Sequence, residues 1–153
     1  MFDILLYQPE IPPNTGNIIR LCANSGARLH LIEPLGFQLD AKSCRRAGLD
    51  YAELAEVSVW PDLQACLAHC RPKTLWVITK FGQQRYDKAR FRPQDALLFG
   101  SETAGLPADL RASLPADTQL FLPMQAGNRS LNLSNAVAAV LYEGWRQNDF
   151  ASS

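Results

Sequence analysis

Apolar and polar positions alternate along this chain in blocks, and the period changes from block to block. Residues 2–7 form a short apolar run that reads as a buried strand. Pro9, Pro12 and Pro13 then hold an extended loop. Asn14 and Thr15 can cap a helix whose body is Ile18, Ile19, Leu21, Cys22 and Ala23, and Gly26 stands where such a helix stops. Residues 28–32 are strand-like, and Asp40 caps a short basic helix over 41–47, with Gly48 after it. Residues 56–60 alternate as a strand does. Pro61 and Asp62 open a helix through Leu63, Cys66, Leu67 and Cys70. Residues 74–79, with LWVIT at their centre, are the clearest buried strand, and 96–99 are another. Pro107 starts a helix through Leu110 and Leu114, residues 120–122 make the last strand, and 135–147 the last helix.

Strands that are solid apolar runs, alternating with helices, predict an α/β fold: a mostly parallel sheet with helices on both faces. At 153 residues the chain is expected to be a single domain over 1–153, with no separate extension, repeat or linker. Two stretches break the rhythm. Residues 80–92 hold Lys80, Arg85, Lys88, Arg90 and Arg92 against one acid, Asp87, with Phe81, Tyr86 and Phe91 between them. Ahead of the last helix stand Asn128, Ser130, Asn132, Ser134 and Asn135. One cap needs one side chain, and polar groups in so apolar a neighbourhood must find partners. The surplus predicts a ligand loop folded against a helix start.

Composition narrows the classes. Fifteen basic and fifteen acidic residues give zero formal charge, so a nucleic-acid surface must be local or shared between subunits. No apolar run reaches membrane-spanning length, and the N-terminus, with an acid at its third position, is not expected to be a signal peptide. A cytoplasmic enzyme is the expectation. Its four cysteines, Cys22, Cys44, Cys66 and Cys70, then read as reduced thiols. Cys66 and Cys70 flank His69 on one helix, but no second pair stands at zinc spacing, and packing is the expected role; no metal is expected. His30 and His69 sit in apolar runs with no acid at triad-like spacing.

In parallel sheets ligands lie beyond the carboxyl ends of the strands. Three such loops stand out: Asn14, Gly16, Asn17 and Arg20; Gly100, Ser101, Glu102, Gly105 and Pro107; and Ser130, Asn132, Ser134 and Asn135. None carries a phosphate loop or a dinucleotide fingerprint. The residues alone reach an α/β domain binding an adenosine-like small molecule.

Residues 14–20, 98–107 and 122–143 resemble, in order, the three signature motifs of the SpoU-like (SPOUT-class) RNA 2′-O-ribose methyltransferases. YQPEIPPNTGNIIRLCANSG, RRAGLDY and the ending SLNLSNAVAAVLYEGW are most similar to the small bacterial members that act on the wobble nucleotide of tRNA. The resemblance implies a C-terminal trefoil knot, a homodimer, and S-adenosyl-L-methionine as donor with S-adenosyl-L-homocysteine as product. It implies methylation at position 34 (cytidine or modified uridine) in the anticodon stem-loop of tRNA, with leucine tRNAs as substrates. Carried over, the donor pocket would comprise Ile78, Thr79, Gly100, Glu102, Leu122, Met124, Ser130 and Leu131. For Leu122, Met124 and Leu131, taken one at a time, ordinary core packing is the competing expectation.

Arg20 would have the motif-one arginine's role in activating the ribose hydroxyl, yet a guanidinium is an unusual proton acceptor. Either a local field frees one of its protons, or Arg20 grips the neighbouring phosphate while Ser130 or Asn132 orients the hydroxyl. Positioning is taken as the larger part. Candidate RNA contacts are Arg20, Lys42, Arg45, Arg46 and the segment 80–92, because cations suit phosphate and aromatics suit unstacked bases. Tyr142 is another, with burial at a dimer seam as the competing role. A methyltransferase for another RNA, or a non-catalytic RNA-binding protein of the same fold, are the alternatives.

Overall fold

The computed structural model describes residues 1–46, 56–128 and 130–152. Its elements run β1 (Asp3–Tyr7), α1 (Pro12–Ser25), β2 (Arg28–Ile32), α2 (Ala41–Arg46), β3 (Val57–Trp60), α3 (Leu63–Cys70), β4 (Leu75–Ile78), β5 (Gln84–Arg85), β6 (Ala96–Phe99), α4 (Ala108–Ser113), β7 (Gln119–Phe121) and α5 (Leu133–Gln147). The seven strands form one sheet in the order β3-β2-β1-β6-β4-β7-β5, and every strand pairing is parallel.

Both faces are covered, which is why the strands are solidly apolar. Ile4, Leu6, Leu97, Phe99 and Leu120 pack on one side with Ile18, Ile19 and Cys22 of α1 and Val137, Val140 and Leu141 of α5. Leu5, Val77 and Leu98 pack on the other with Leu63 and Cys66 of α3 and with Leu106. Gly144 lets α5 lie close to the sheet, since a Cβ there would meet the Phe2 ring at 3.1 Å.

The predicted strands are all present, with their ends moved by a residue or so. Three boundaries differ for physical reasons. First, α1 begins at Pro12, so Pro12 and Pro13 belong to its first turn and Asn14 and Thr15 lie inside it, both buried. Proline suits that position because its missing N–H would have had no partner there. Second, α5 begins at Leu133 with Asn132 as its cap, two residues ahead of the expected start. Third, the basic stretch 80–92 contributes a two-residue strand, β5, at the sheet edge. The short helix expected over 41–47 is seen as α2, Ala41–Arg46; Ala47, Gly48 and most of the RRAGLDY stretch lie outside the described residues.

Strand β7 passes between β4 and β5, and the 79–83 turn folds across it. Thr79 N–H donates to the Leu120 carbonyl and Gln83 N–H to that of Gln119. Gly82 permits this approach, because a Cβ there would lie 2.3 Å from the Leu120 carbonyl carbon. Among the described residues, no helix is long and apolar enough to cross a membrane.

Candidate functional site

The carboxyl ends of β4, β6 and β7 open onto a cavity of about 620 Å³. Its apolar wall includes Ile78, Phe99, Leu106, Leu122, Leu133 and Ala136, and the loops leaving the three strands supply the rest. Gly100, at the end of β6, has the next turn laid directly on it. A Cβ there would sit 2.4 Å from the Gly105 carbonyl carbon. The turn closes through Gly105 N–H donating to the Ser101 carbonyl at 3.0 Å, and Gly105 takes φ +65°, which suits glycine.

All eight residues expected to form a donor pocket (Ile78, Thr79, Gly100, Glu102, Leu122, Met124, Ser130 and Leu131) line this one cavity. Met124 and Leu131 are 37% and 45% exposed, so ordinary core packing does not account for them. They stand at the rim as apolar groups facing a volume that a ligand can fill.

The three motif loops are tied to one another by hydrogen bonds. The Glu102 carboxylate accepts the Ile11 N–H at 2.7 Å, the Glu10 N–H at 2.9 Å and the Asn14 amide at 3.3 Å. The Glu10 carboxylate returns the contact, accepting the Thr103 hydroxyl at 2.7 Å. Hydrogen bonds from Thr103 and Ser101 hold the Glu10 carboxyl below the usual glutamate range. Asn14 is buried, and its Oδ1 accepts from Asn132 Nδ2 at 3.0 Å. Asn132 Oδ1 in turn accepts the N–H of Ser134 at 2.9 Å and of Asn135 at 3.3 Å, capping α5. A single chain of contacts thus runs from Glu102 through Asn14 and Asn132 into the start of α5. Glu102 and Asn132 both spend polar groups on this frame; Ser130 is exposed at the cavity rim.

Arg20 stands with Asn17 on the exposed face of α1 and is not among the residues lining the cavity. Lys42, Arg45 and Arg46 are exposed on α2. Tyr142 is 42% exposed on α5, ring-to-edge against Trp145, which packs the same way on Phe150. The basic stretch is anchored to α5: Gln147 accepts the Phe91 N–H and donates to the Ala89 carbonyl, while Lys88, Arg90 and Arg92 stay exposed.

A second polar cluster lies on the α3 face of the sheet, and sequence reasoning missed it. Parallel pairing of β1 with β2 sets Asp3 opposite Arg28 and Leu5 opposite His30, so all three polar side chains share a face. Asp3 Oδ1 lies 2.8 Å from His30 Nε2, and Arg28 grips the same carboxylate through two nitrogens at 2.8 Å. His30 thus has an acid partner, Asp3, that spacing along the chain does not indicate. His30, Cys66 and Cys70 bring one ligand atom each within 4.8 Å of one another, whereas His69 is exposed and packs at a tilt against Trp60. Trp60 Nε1–H donates to His30 Nδ1 at 3.0 Å, which assigns the proton to Nε2 and points it at Asp3. Burial pushes both thiols up, and the Asp3 charge adds to the effect. Cys70 Sγ lies 3.9 Å from Cys66 Sγ and 3.5 Å from His30 Nε2, so the three groups share one hydrogen-bonded cluster.

Comparison with known proteins agrees with this geometry. Residues 1–142 match the SpoU rRNA Methylase family. A protein of Methylovorus glucosotrophus named tRNA (cytidine(34)-2′-O)-methyltransferase is 52% identical over 153 residues, covering 100% of this chain and 99% of its own. A solved structure described as giving insight into 2′-OH methylation of C/U34 on tRNA is 40% identical, with a TM-score of 0.88 over 99% of this chain and 98% of that one. AviRb of Streptomyces viridochromogenes, solved with the cofactor AdoMet, is 27% identical, with a TM-score of 0.80 over 96% of this chain and 57% of that one.

Proposed function

The chain belongs to the SpoU methylase family, a family of enzymes, and from that premise we propose that it methylates the ribose 2′-hydroxyl of the wobble nucleotide of tRNA. The donor in this reading is S-adenosyl-L-methionine, and the acceptor is position 34, cytidine or modified uridine, of leucine tRNAs. The observation that carries it is the cavity at the strand ends, framed by all three motif loops through the Glu102–Asn14–Asn132 contacts. A volume of about 620 Å³ with an apolar wall and a glycine turn pressed on Gly100 fits a nucleoside-sized ligand. The family description names ribosomal RNA, but full-length similarity to a protein named for tRNA position 34 weighs toward tRNA.

The bound donor supplies an electrophilic methyl on a sulfonium. In the transfer the ribose 2′-oxygen forms a bond to that methyl carbon as the carbon–sulfur bond breaks, and the hydroxyl proton leaves to an acceptor. Ile78, Gly100, Leu122 and Leu131 would hold the adenosine part, with Thr79 and Met124 beside them, and Glu102 would keep the loop in place. Ser130, at the rim, is the group suited to orient the acceptor hydroxyl, and Asn132 acts as a positioning residue by fixing the start of α5. Arg20 would grip the phosphate next to the target ribose, a role suited to its fork of donors.

Arg20 lies outside its own protomer's cavity lining, and this favours a homodimer in which the two subunits' sites and basic surfaces are shared. The α1 and α5 helices pack together, and Ala23 and Ala139 leave an outward face for such a partner. Lys42, Arg45, Arg46 and Tyr142 are the proposed contacts to the anticodon stem-loop. The strand order, with β7 returning between β4 and β5, supports a knotted C-terminal half. The proposed compartment is the cytoplasm, where tRNA is found.

The test is transfer of labelled methyl from S-adenosyl-L-methionine to bulk tRNA from cells lacking the gene. Transfer by the wild type, lost in Arg20→Ala while donor binding persists, is the expected result. Labelling of ribosomal RNA instead would move the substrate, and failure to bind the donor would remove the reading.

A further inference from the structure

The cavity wall carries a charge pattern that the family motifs do not describe. Phe81, 57% exposed in the turn after β4, lies under two cations. The Arg111 guanidinium carbon is 4.0 Å from its ring centroid, and Lys80 Nζ is 5.2 Å away. All three line the cavity with Ile78, Gly100 and Leu122. Among the described residues neither cation has a carboxylate within salt-bridge distance. The acid lining the same cavity, Glu102, gives its carboxylate to Glu10, Ile11 and Asn14.

We propose that Arg111, held over the Phe81 ring and assisted by Lys80, receives the α-carboxylate of the donor's amino-acid tail; the proposal rests on the donor reading above. A guanidinium placed over an aromatic ring can still offer its edge donors, the groups that bind a carboxylate in a fork. Arg111 Nε–H makes one contact, to the Leu106 carbonyl at 3.4 Å, which fixes the head without consuming its terminal nitrogens. Two cations repel a sulfonium and attract a carboxylate, so they also orient the ligand. The sulfur is kept away from this wall and the carboxylate is drawn to it. The position lies on α4, after the second motif, and depends on β4 and α4 meeting at the cavity edge, which is why no motif marks it.

The experiment compares two ligands that differ only in the group at issue: S-adenosyl-L-homocysteine and its decarboxylated analogue, S-adenosyl-3-thiopropylamine. Titration calorimetry is run on the wild type, Arg111→Ala, Arg111→Lys and Phe81→Leu. The wild type should prefer the carboxylated ligand by about tenfold or more, the size of one charge-assisted contact. Arg111→Ala should lose that preference while its affinity for the decarboxylated ligand is unchanged. Arg111→Lys should keep part of it, and Phe81→Leu should weaken it by loosening the guanidinium. Equal loss for both ligands would make Arg111 a wall to the adenosine part and overturn the proposal, as would an unchanged preference. Weaker tRNA binding with both ligands unaffected would make it a phosphate contact instead, and also overturn it. If the wild type bound neither ligand, the donor reading itself would fail.

Discussion

Replacing Asn132 by Ala removes the joint between the third motif and the first. Two backbone N–H groups at the start of α5 lose their cap, at a cost of about 1 kcal/mol. Asn14, only 6% exposed, loses the donor to its Oδ1, and an unpaired buried oxygen costs about 1–3 kcal/mol more. The sum is a destabilisation of about 2–4 kcal/mol. At this chain length it corresponds to a fall in Tm of roughly 2–4 °C per kcal/mol. Asn132→Asp separates the parts: it keeps the cap, favoured by the helix N-terminus, and sets a carboxylate against the Asn14 oxygen. Urea unfolding of both variants, of Asn14→Ala and of the double variant, at one protomer concentration, gives the coupling directly. A coupling of about 0.5–3 kcal/mol is expected for groups in contact. Additivity to within about 0.3–0.5 kcal/mol would refute the joint, as would an Asn132→Ala cost below about 0.5 kcal/mol.

Other outcomes follow from the same geometry. Gly100→Ala drives a Cβ into the Gly105 backbone and should abolish tight donor binding; the overpacking cost of about 1–3 kcal/mol should appear in its unfolding curve. Burial pushes the Asp3 carboxyl up, but hydrogen bonds from His30 and Arg28 and the Arg28 charge outweigh it and leave it below the ordinary aspartate range. A depressed folded value means the contribution is full above the ordinary range and is lost as pH falls through the lowered value. Asp3→Asn should therefore destabilise the protein at pH 7 and flatten the acid limb of its stability curve, read by denaturant titrations stepped from pH 7 downward. Charge reversal at Arg45 and Arg46 should weaken tRNA binding and lower its salt slope by roughly 1.5, as expected for two lost contacts to single strands, with donor affinity unchanged.

The apolar runs made every long element legible, because a doubly covered parallel strand leaves a continuous signature. Short-range chemistry placed Gly26 and Asp62 correctly: the first takes φ +80° after α1, and the second caps α3 through the Ala65 N–H. What escaped depends on strands and loops distant in sequence. Five polar residues cluster around the start of α5, and nothing local picks out Asn132, whose partner Asn14 stands 118 positions away. Glu102 reads as a carboxylate at a strand end, and its backbone partners, 91 and 92 positions upstream, leave no mark along the chain. Asp3 and His30 meet only through the β1–β2 register. Gly82 gives no signal of its own, since its neighbour is the backbone of β7. Strand β5 was hidden because two polar residues at a sheet edge carry no period.

The most direct test is to map the methylated nucleotide. After labelled transfer to tRNA lacking the modification, nuclease digestion and mass spectrometry should find one added methyl on the ribose of nucleotide 34 of leucine tRNAs, and none with Arg20→Ala. A methyl on a base, or on the ribose of another nucleotide, would contradict the account.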